Sequence, residues 1–426
     1  MAKKSYQWDY HNPSKIEQHS LTKHKIIADY LSSYIKTLTV FPCQDEFKLT
    51  LIDGFSGGGI YSHTDTKKIS YGSPLIMLDT VKETDFLINQ NRRKKLNLNV
   101  DYFFIDKEKS ACDCLKLVLE DKNYSSLVDK SIFIMHSDFK QQANNIINFI
   151  RQKSRKTQRA IFLLDQYGYS EVPTQLIKII LDSLSNAEII FTFAVDSCIT
   201  YLSDKNNIST NLFIKTGIPD VLQGRTIEDI KSSEKDSRLL IQSYFHKELV
   251  EKCGASYYTP FFIRSSQGHG DYWLVHLSKH PKARDVMTQI HWKNNNNFIH
   301  YGGAGLNMFM LGYESKYDNS YTNQTEFGFC FDDTAHEKSV NALIAEIPHL
   351  VYARDNGISF GELFSMTCNN SPASAEIYKQ SIESLIQHKQ IEVFSKEGSK
   401  RQSANTIHDS DVLIKPKQSS IFMFTC

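Results

Sequence analysis

The sequence predicts an α/β protein, with a Rossmann-like doubly wound sheet that closes on an antiparallel edge hairpin and is followed by a winged helix-turn-helix. Three observations carry this expectation. Five short apolar runs alternate with helical patterns through the first half of the chain. Two β-rich runs then follow one another across "SQGHG" (266–270) with no helix between them. From about residue 340 the pattern changes to three helices and a small ribbon.

The five runs are "KLTLID" (48–53), "DYFFID" (101–106), "SIFIMH" (131–136), "AIFLLD" (160–165) and "EIIFTFA" (188–194). Each is apolar on both faces, as strands covered by helices on both sides must be. Between them, "SPLIMLDTVKETDFLIN", "SACDCLKLVLEDKN", "FKQQANNIINFIRQK" and "SEVPTQLIKIILDSL" read as helices, the first with Ser73 as N-cap and Pro74 at its first position. A polar, helix-rich insertion at about 200–252 leads to "YYTPFFIRS" and "DYWLVHLSK", a hairpin. A parallel sheet closed in this way is the edge arrangement of class I methyltransferases. Dinucleotide-binding dehydrogenases keep the sheet parallel. The Asn-, Gly- and Tyr-rich stretch 298–335 reads as loop, including Gly302-Gly303, which lack a strand-loop-helix context.

In the tail, "NALIAEIPHLVYARD", "ISFGELFSM" and "PASAEIYKQSIESLIQHK" precede "IEVFS", the turn "KEGSKRQ" and the apolar run "SIFMF". This is a winged-helix pattern whose third helix would be the recognition helix and whose wing tip would carry Lys396, Lys400 and Arg401. The expected domains are therefore 1–335 and 340–426.

Composition narrows the function. Hydrophobic content of 41% and charged content of 23% are those of a globular protein with a sizeable core. A formal charge of +1 excludes a strongly basic nucleic-acid glove as a whole-chain description. No apolar run reaches membrane-helix length, and the first residues lack a signal-peptide core, so a cytoplasmic protein is expected. The eight cysteines have no C-x-x-C spacing and read as reduced core thiols. Cys43, in "FPCQ" (41–44), precedes the first strand rather than following the fourth, so its likeness to the nucleophilic loop of cytosine-C5 methyltransferases is incidental.

Ligands of a doubly wound sheet bind beyond the carboxyl ends of its strands, and four of those ends carry an acid: Asp53, Asp106, Asp138 and Asp165. Asp53, Gly54, Phe55, Ser56 and the Gly57–Gly58–Gly59 corner would receive the methionine end of S-adenosylmethionine. Asp106, beside Lys107, would accept the ribose hydroxyls, and Asp138 with Phe139 would address the adenine. The fourth-strand turn, Asp165, Gln166 and Tyr167, stands where amino-group methyltransferases hold and stack the target base. "HSLTKHK" (19–25) reads either as a segment closing over the cofactor or as helix-surface charge. The basic runs "RRKK" (92–95) and "RQKSRKTQR" (151–159) belong at the opposite end of the sheet.

In order, "HSLTKHKIIADYLSSYI", "LIDGFSGGGIY", "YGSPL", "FFIDKE", "FLLDQYGYSEVP" and "YWLVHLSKHPKARDVMTQIHW" resemble the three-Cys-motif partner proteins, TcmP. The resemblance covers most of the chain. It implies a methyltransferase-like Rossmann fold and a separate, radical-SAM-like partner that carries the three cysteines. Asp53, Gly54, Phe55, Gly57 and Gly59 match the family's "DGFAGPG"-like loop, and Asp165, Tyr167 and Gly168 its "DPYG"-like turn. Gly58 and Gln166 depart from it, each replacing a proline. Three function classes remain open at this point: a SAM-dependent methyltransferase acting on or with nucleic acid, a non-catalytic adaptor, and a nucleotide-processing enzyme.

Overall fold

The computed structural model describes residues 8–16, 18–63, 67–166, 171–193, 213–218, 237–263, 272–294, 299–300, 304–306 and 329–416. The chain divides into two compact units, residues 1–290 with 312–314, and residues 291–311 with 315–426. The division falls earlier than the boundary at 335–340 expected from the pattern.

In the first unit, seven strands form one sheet: β1 (Glu46–Asp53), β2 (Asn97–Asp106), β3 (Ile132–His136), β4 (Arg159–Leu164), β5 (Asn186–Phe193), β6 (Tyr257–Ile263) and β7 (Tyr272–Ser278). Their order is β3-β2-β1-β4-β5-β7-β6. The first five are parallel, and β7 runs antiparallel to both of its neighbours. Parallel neighbours need long crossovers, which α2 (Ser73–Gln90), α3 (Lys109–Asp121), α4 (Phe139–Lys153) and α5 (Thr174–Ser183) supply. The reversed β7 is the expected edge hairpin. From β1 the chain winds outward to β2 and β3, then returns to β4 on the other side of β1. The crevice of the fold therefore lies at the carboxyl tips of β1 and β4.

The corner after β1 is more ordered than its sequence announces. Ile60–His63 and Ile69–Tyr71 pair as a short hairpin, and Lys15–Ile16 joins it in parallel. Gly72, not Ser73, is the N-cap of α2, with proline in the first turn. A Cβ at Gly72 would lie 3.0 Å from the Tyr61 ring and 3.3 Å from the Cα of Gly59, so a side chain would press on both where these two corners of the loop cross.

Before the sheet, α1 (Gln18–Leu38) buries Ile26, Ile27, Tyr30, Leu31 and Tyr34. Its Tyr30 hydroxyl donates to Glu188 of β5, whose carboxylate also meets His276 Nε2 of β7 at 3.0 Å. All three are buried, so this small network ties α1 across two strands in a medium where each bond is strong. The basic runs lie away from the strand tips, as expected: Arg92 donates to the carbonyls of Thr39, Phe41 and Gln44, and Lys153 pairs with Asp101 at 2.6 Å. Cys112, Cys114, Cys253 and Cys368 are buried thiols, and Cys43 is exposed. No described helix is long and apolar enough to cross a membrane.

The second unit contains α8 (Asp333–Tyr352), β8 (Ile358–Ser359), α9 (Phe360–Thr367), α10 (Ala375–Gln387), β9 (Glu392–Phe394) and β10 (Val412–Ile414); α6 (Ser237–Cys253) and α7 (Pro281–Lys293) precede them in the chain. Asp332, Ser359 and Ser374 cap the three helices, each accepting a backbone N–H. The ribbon has the order β8-β10-β9. The strand facing β9 is thus "VLI" at 412–414, not the later run "SIFMF", which lies outside the described residues, as do Gly302 and Gly303. The three-residue "VLI" is too short to stand out by periodicity.

Tyr30→Phe should lower the stability of the protein by about 1–3 kcal/mol, because it removes a donor from a buried carboxylate. Urea unfolding followed by far-UV circular dichroism measures it.

Candidate functional site

The tips of β2, β1 and β4 stand side by side, with Asp53 opposite Phe104 and Leu163. The Asp53 side chain is 0% exposed. Its Oδ1 accepts the Phe55 N–H at 3.1 Å, and its Oδ2 is buried without a hydrogen-bond partner. Burial pushes this carboxyl up to about 7. The nearby Ser73 hydroxyl and the Phe55 amide pull it down, while the charges of Asp165 and Asp106 push it up. Three strand-tip acids therefore share one electrostatic neighbourhood.

Asp106 reaches across to the loop after β1. Its Oδ2 accepts the Gly57 N–H at 2.9 Å and its Oδ1 the Glu108 N–H at 2.8 Å. Burial raises its pKa, and these two amides oppose the rise. Each oxygen keeps a further acceptor position. Ser56 is buried, with both its amide and its hydroxyl bonded to the Ile105 carbonyl. Lys107 pairs with Glu171 of the loop after β4, at 2.8 Å.

The three glycines face the protein's own side chains. A Cβ at Gly57 would lie 2.6 Å from the Trp8 ring, at Gly58 2.6 Å from the same ring and 3.1 Å from Cys114 Sγ, and at Gly59 2.7 Å from Leu115. Gly57 and Gly59 also have φ of +58° and +72°, where a side chain is strained. Gly54 is packed likewise, against Leu164 and Phe139. The bare main chain is thus required by a close internal fit under an indole, which itself meets the Tyr61 ring edge-on at 5.6 Å. The expectation that the glycines clear space for a ligand is corrected on this face of the loop.

Asp138 caps α4 by accepting the Lys140 N–H at 2.8 Å. Phe139 is 2% exposed and packs on Gly54 and Phe162, so its ring is a core element with no free face for an adenine. At the tip of β4, Asp165 holds Lys23 of α1, with Nζ 2.7 and 2.5 Å from its two oxygens. Burial would raise the Asp165 pKa, but the Lys23 ammonium holds it below the usual carboxylate range. Gln166, where the resembling family has proline, is 2% exposed and braces the following loop by accepting the N–H groups of Glu171 and Val172 at 2.9 and 3.0 Å. Its Nε2 is buried without a partner. Tyr167 and Gly168 lie outside the described residues.

Trp8, Lys23 and His24 belong to this neighbourhood; Lys23 and His24 lie in the segment 19–25, read either as closing over the cofactor or as helix-surface charge, and Trp8 was not anticipated. Lys23 carried a readable signal: it sits three and four residues before Ile26 and Ile27, on the apolar stripe of α1. Burial lowers the His24 pKa to about 4, helped by the Lys23 charge and opposed by Asp165. Among the described residues, no group of three or more His, Cys, Asp or Glu could hold a metal ion.

In the second unit two of the three wing cations are paired. Lys400 meets Glu392 at 2.6 Å, and Arg401 meets the buried Asp411 at 2.8 Å. On α10, Lys379 lies over the Phe360 ring at 5.1 Å, while Glu376 is exposed.

The GMT-like wHTH domain family matches residues 312–398, which span α8 to the first wing strand. No curated protein matches the chain. Among solved structures, two of WbdD, one described as a bifunctional kinase-methyltransferase, are 10% identical over 61% of this chain, with TM-scores of 0.30 and 0.31. This chain spans 40% and 39% of those two chains. Trm1 from Pyrococcus horikoshii, in complex with S-adenosyl-L-methionine, is 8% identical over 75% of this chain and 71% of its own, with a TM-score of 0.29. A Methanococcus maripaludis protein assigned as an S-adenosyl-L-methionine-dependent methyltransferase is 11% identical over 66% and 97%, with a TM-score of 0.26. Such likeness bears on fold alone; the methyltransferase-like fold rests on the strand order itself.

Gly58 lacks a positive φ, so its intolerance of a side chain is purely steric. Gly58→Ala should lower stability by about 1–3 kcal/mol, and Trp8→Ala in the same chain should remove most of that penalty. A double-mutant cycle by urea unfolding reads the coupling.

Proposed function

We propose that the first unit binds S-adenosylmethionine at the β1/β4 crevice and acts as a methyltransferase. The observation that carries this is Asp53: a buried strand-tip carboxylate at the topological switch point, one oxygen of which has no partner. A buried carboxylate oxygen without a partner is costly unless a ligand supplies one, and the ammonium of a methionine end fits. Asp106 would accept the ribose hydroxyls through its remaining acceptor positions while keeping Gly57 in place. Asp138 would face the adenine amino group, and Asp165 with Tyr167 the methyl acceptor. Lys107–Glu171 and Gln166 hold the two loops that frame the site. When bound, the cofactor supplies an electrophilic methyl group on a sulfonium.

The finer reading is a TcmP-type protein that works with a three-Cys-motif partner and, through its winged helix, on or with nucleic acid. Its support is the ordered set of motifs and the winged-helix match. The paired wing cations and the Glu376-bearing α10 instead favour a second role for that domain, binding of a protein. Residues 340–426 carry nine acidic and eight basic side chains, which agrees with weak phosphate attraction. If removing 340–426 leaves nucleic-acid retention unchanged across a salt series, the nucleic-acid role of the domain falls.

Asp53 must be ionised to hold an ammonium, and burial pushes its carboxyl up to about 7. Cofactor affinity should therefore rise about tenfold between about pH 6 and 8, and Asp53→Asn should abolish that rise. The folded value lies above the 3.8 of an ordinary aspartate, so this acid favours folding when protonated and loses that contribution as pH climbs through 7. At pH 8, Asp53→Asn should accordingly stabilise the fold by on the order of 2–4 kcal/mol while weakening binding. Calorimetric titration and urea unfolding at both pH values test this, and equal affinity of wild type and Asp106→Ala would refute the ribose assignment.

A further inference from the structure

A hollow lies on the face of the sheet that carries α2, away from the crevice. Its volume is about 320 Å³, and α2, β2 and the loop after α3 line it. Leu78, Val81, Leu98 and Leu127 make its apolar walls. Tyr102 of β2 supplies a buried polar group to the same lining. This residue is 5% exposed, yet its hydroxyl makes no hydrogen bond among the described residues. The neighbouring phenol differs, because Tyr124 donates to Asp79 at 2.7 Å. Burial first, and then Tyr124, Asp101 and Asp85, raises the Tyr102 pKa above the usual phenol value, so the hydroxyl keeps its proton. Side chains alternate along a strand, and Tyr102 stands four residues, or about 13 Å, before Asp106 on β2.

We propose that this hollow is a binding site for a neutral two-ring aromatic molecule whose polar head both donates and accepts a hydrogen bond. The buried hydroxyl marks the hollow as a site: a phenol closed off from bulk water without a partner costs free energy that a ligand would return. Size sets the body of the ligand. An apolar cavity of about 150 Å³ takes one benzene ring, so about 320 Å³ has room for two fused rings. The polar lining sets the head. Lys82 and Asp85 stand about one turn apart on α2, and no ion pair joins them among the described residues. Asp85 Oδ1 accepts Asn89 Nδ2 at 2.8 Å, and Lys82 Nζ lies 5.9 Å from the centre of the Tyr124 ring. A cationic head would be repelled by the lysine and an anionic head by the aspartate. A neutral hydroxyl or lactam meets neither penalty, and it pairs with the Tyr102 hydroxyl, which gives or receives a hydrogen bond. The site stands apart from the cofactor reading of the crevice and does not rest on it.

The test is calorimetric titration of the full-length chain at neutral pH with 2-naphthol, sodium 2-naphthoate and 2-naphthylmethylammonium chloride, which share one ring system and differ in the head. 2-Naphthol should saturate a single site, and each ionic probe should bind about tenfold more weakly or not at all. Tyr102→Phe removes only the hydroxyl. It should weaken 2-naphthol binding about tenfold and leave the melting temperature unchanged or raised. Leu98→Trp, whose indole fills the hollow, should not bind the probe. Should that variant fail to fold, Leu127→Trp, at a partly exposed position of the lining, carries the same arm. If wild type does not bind 2-naphthol, the hollow holds water only and the proposal falls. It falls equally if Tyr102→Phe or the filled variant binds as wild type does, or if an ionic probe binds as tightly as 2-naphthol. A Tyr102→Phe protein that melts several degrees lower overturns it too, since the hydroxyl then has a partner within the fold.

Discussion

The hydrogen bond from the Gly57 amide to Asp106 Oδ2 is the contact on which the crevice depends. It joins the loop after the central strand to the tip of its neighbour, and it holds that loop in a left-handed turn which only glycine adopts without strain. With the turn so fixed, the next two residues lie flat beneath Trp8 and against α3, and Asp53 is sealed below them. A looser loop would let water reach Asp53, and its acid would behave as an ordinary surface carboxylate. Burial, more than the neighbouring charges, sets the proton affinity of the site.

A second theme is that a buried cation meets one of the three strand-tip acids. Lys23 is placed against Asp165, while Asp106 is met by two backbone amides and the Lys107 charge, and burial leaves Asp53 reluctant to ionise. Such an arrangement suits a ligand that brings positive charge of its own, and it repels free phosphate. The winged-helix unit shows a related economy: two of its three wing cations, Lys400 and Arg401, are engaged by acids of the same domain, so less of the charge visible in the sequence is presented to a partner.

Most of the architecture was legible in the sequence. Strands buried on both faces have a plain signature, and the reversed edge hairpin was visible as two β-rich runs without an intervening helix. The acids at the ends of β1, β2 and β4 were found because register places strand ends together whatever the side chains do. Phe139 misled, because an aromatic after a strand-tip acid looks the same whether it faces the cleft or the core; packing against Gly54 decides it. Trp8 gave no local signal, since its role arises only when the segment around Lys15–Ile16 joins the later hairpin. Gln166 replaces a proline by another means of stiffening a turn, two accepted amides instead of a locked φ, and sequence alone does not distinguish that from a lost function. Lys400 and Arg401 read as a free basic tip because their acid partners come from other strands and loops of the ribbon.

The parallel joining of Lys15–Ile16 to Ser62–His63 has a temporal side. On the ribosome, the segment bearing Trp8 emerges well before the hairpin it must pair with, and must wait until residue 71 or so has been made. The corner of the crevice can be assembled only once β1 and its hairpin exist to receive it.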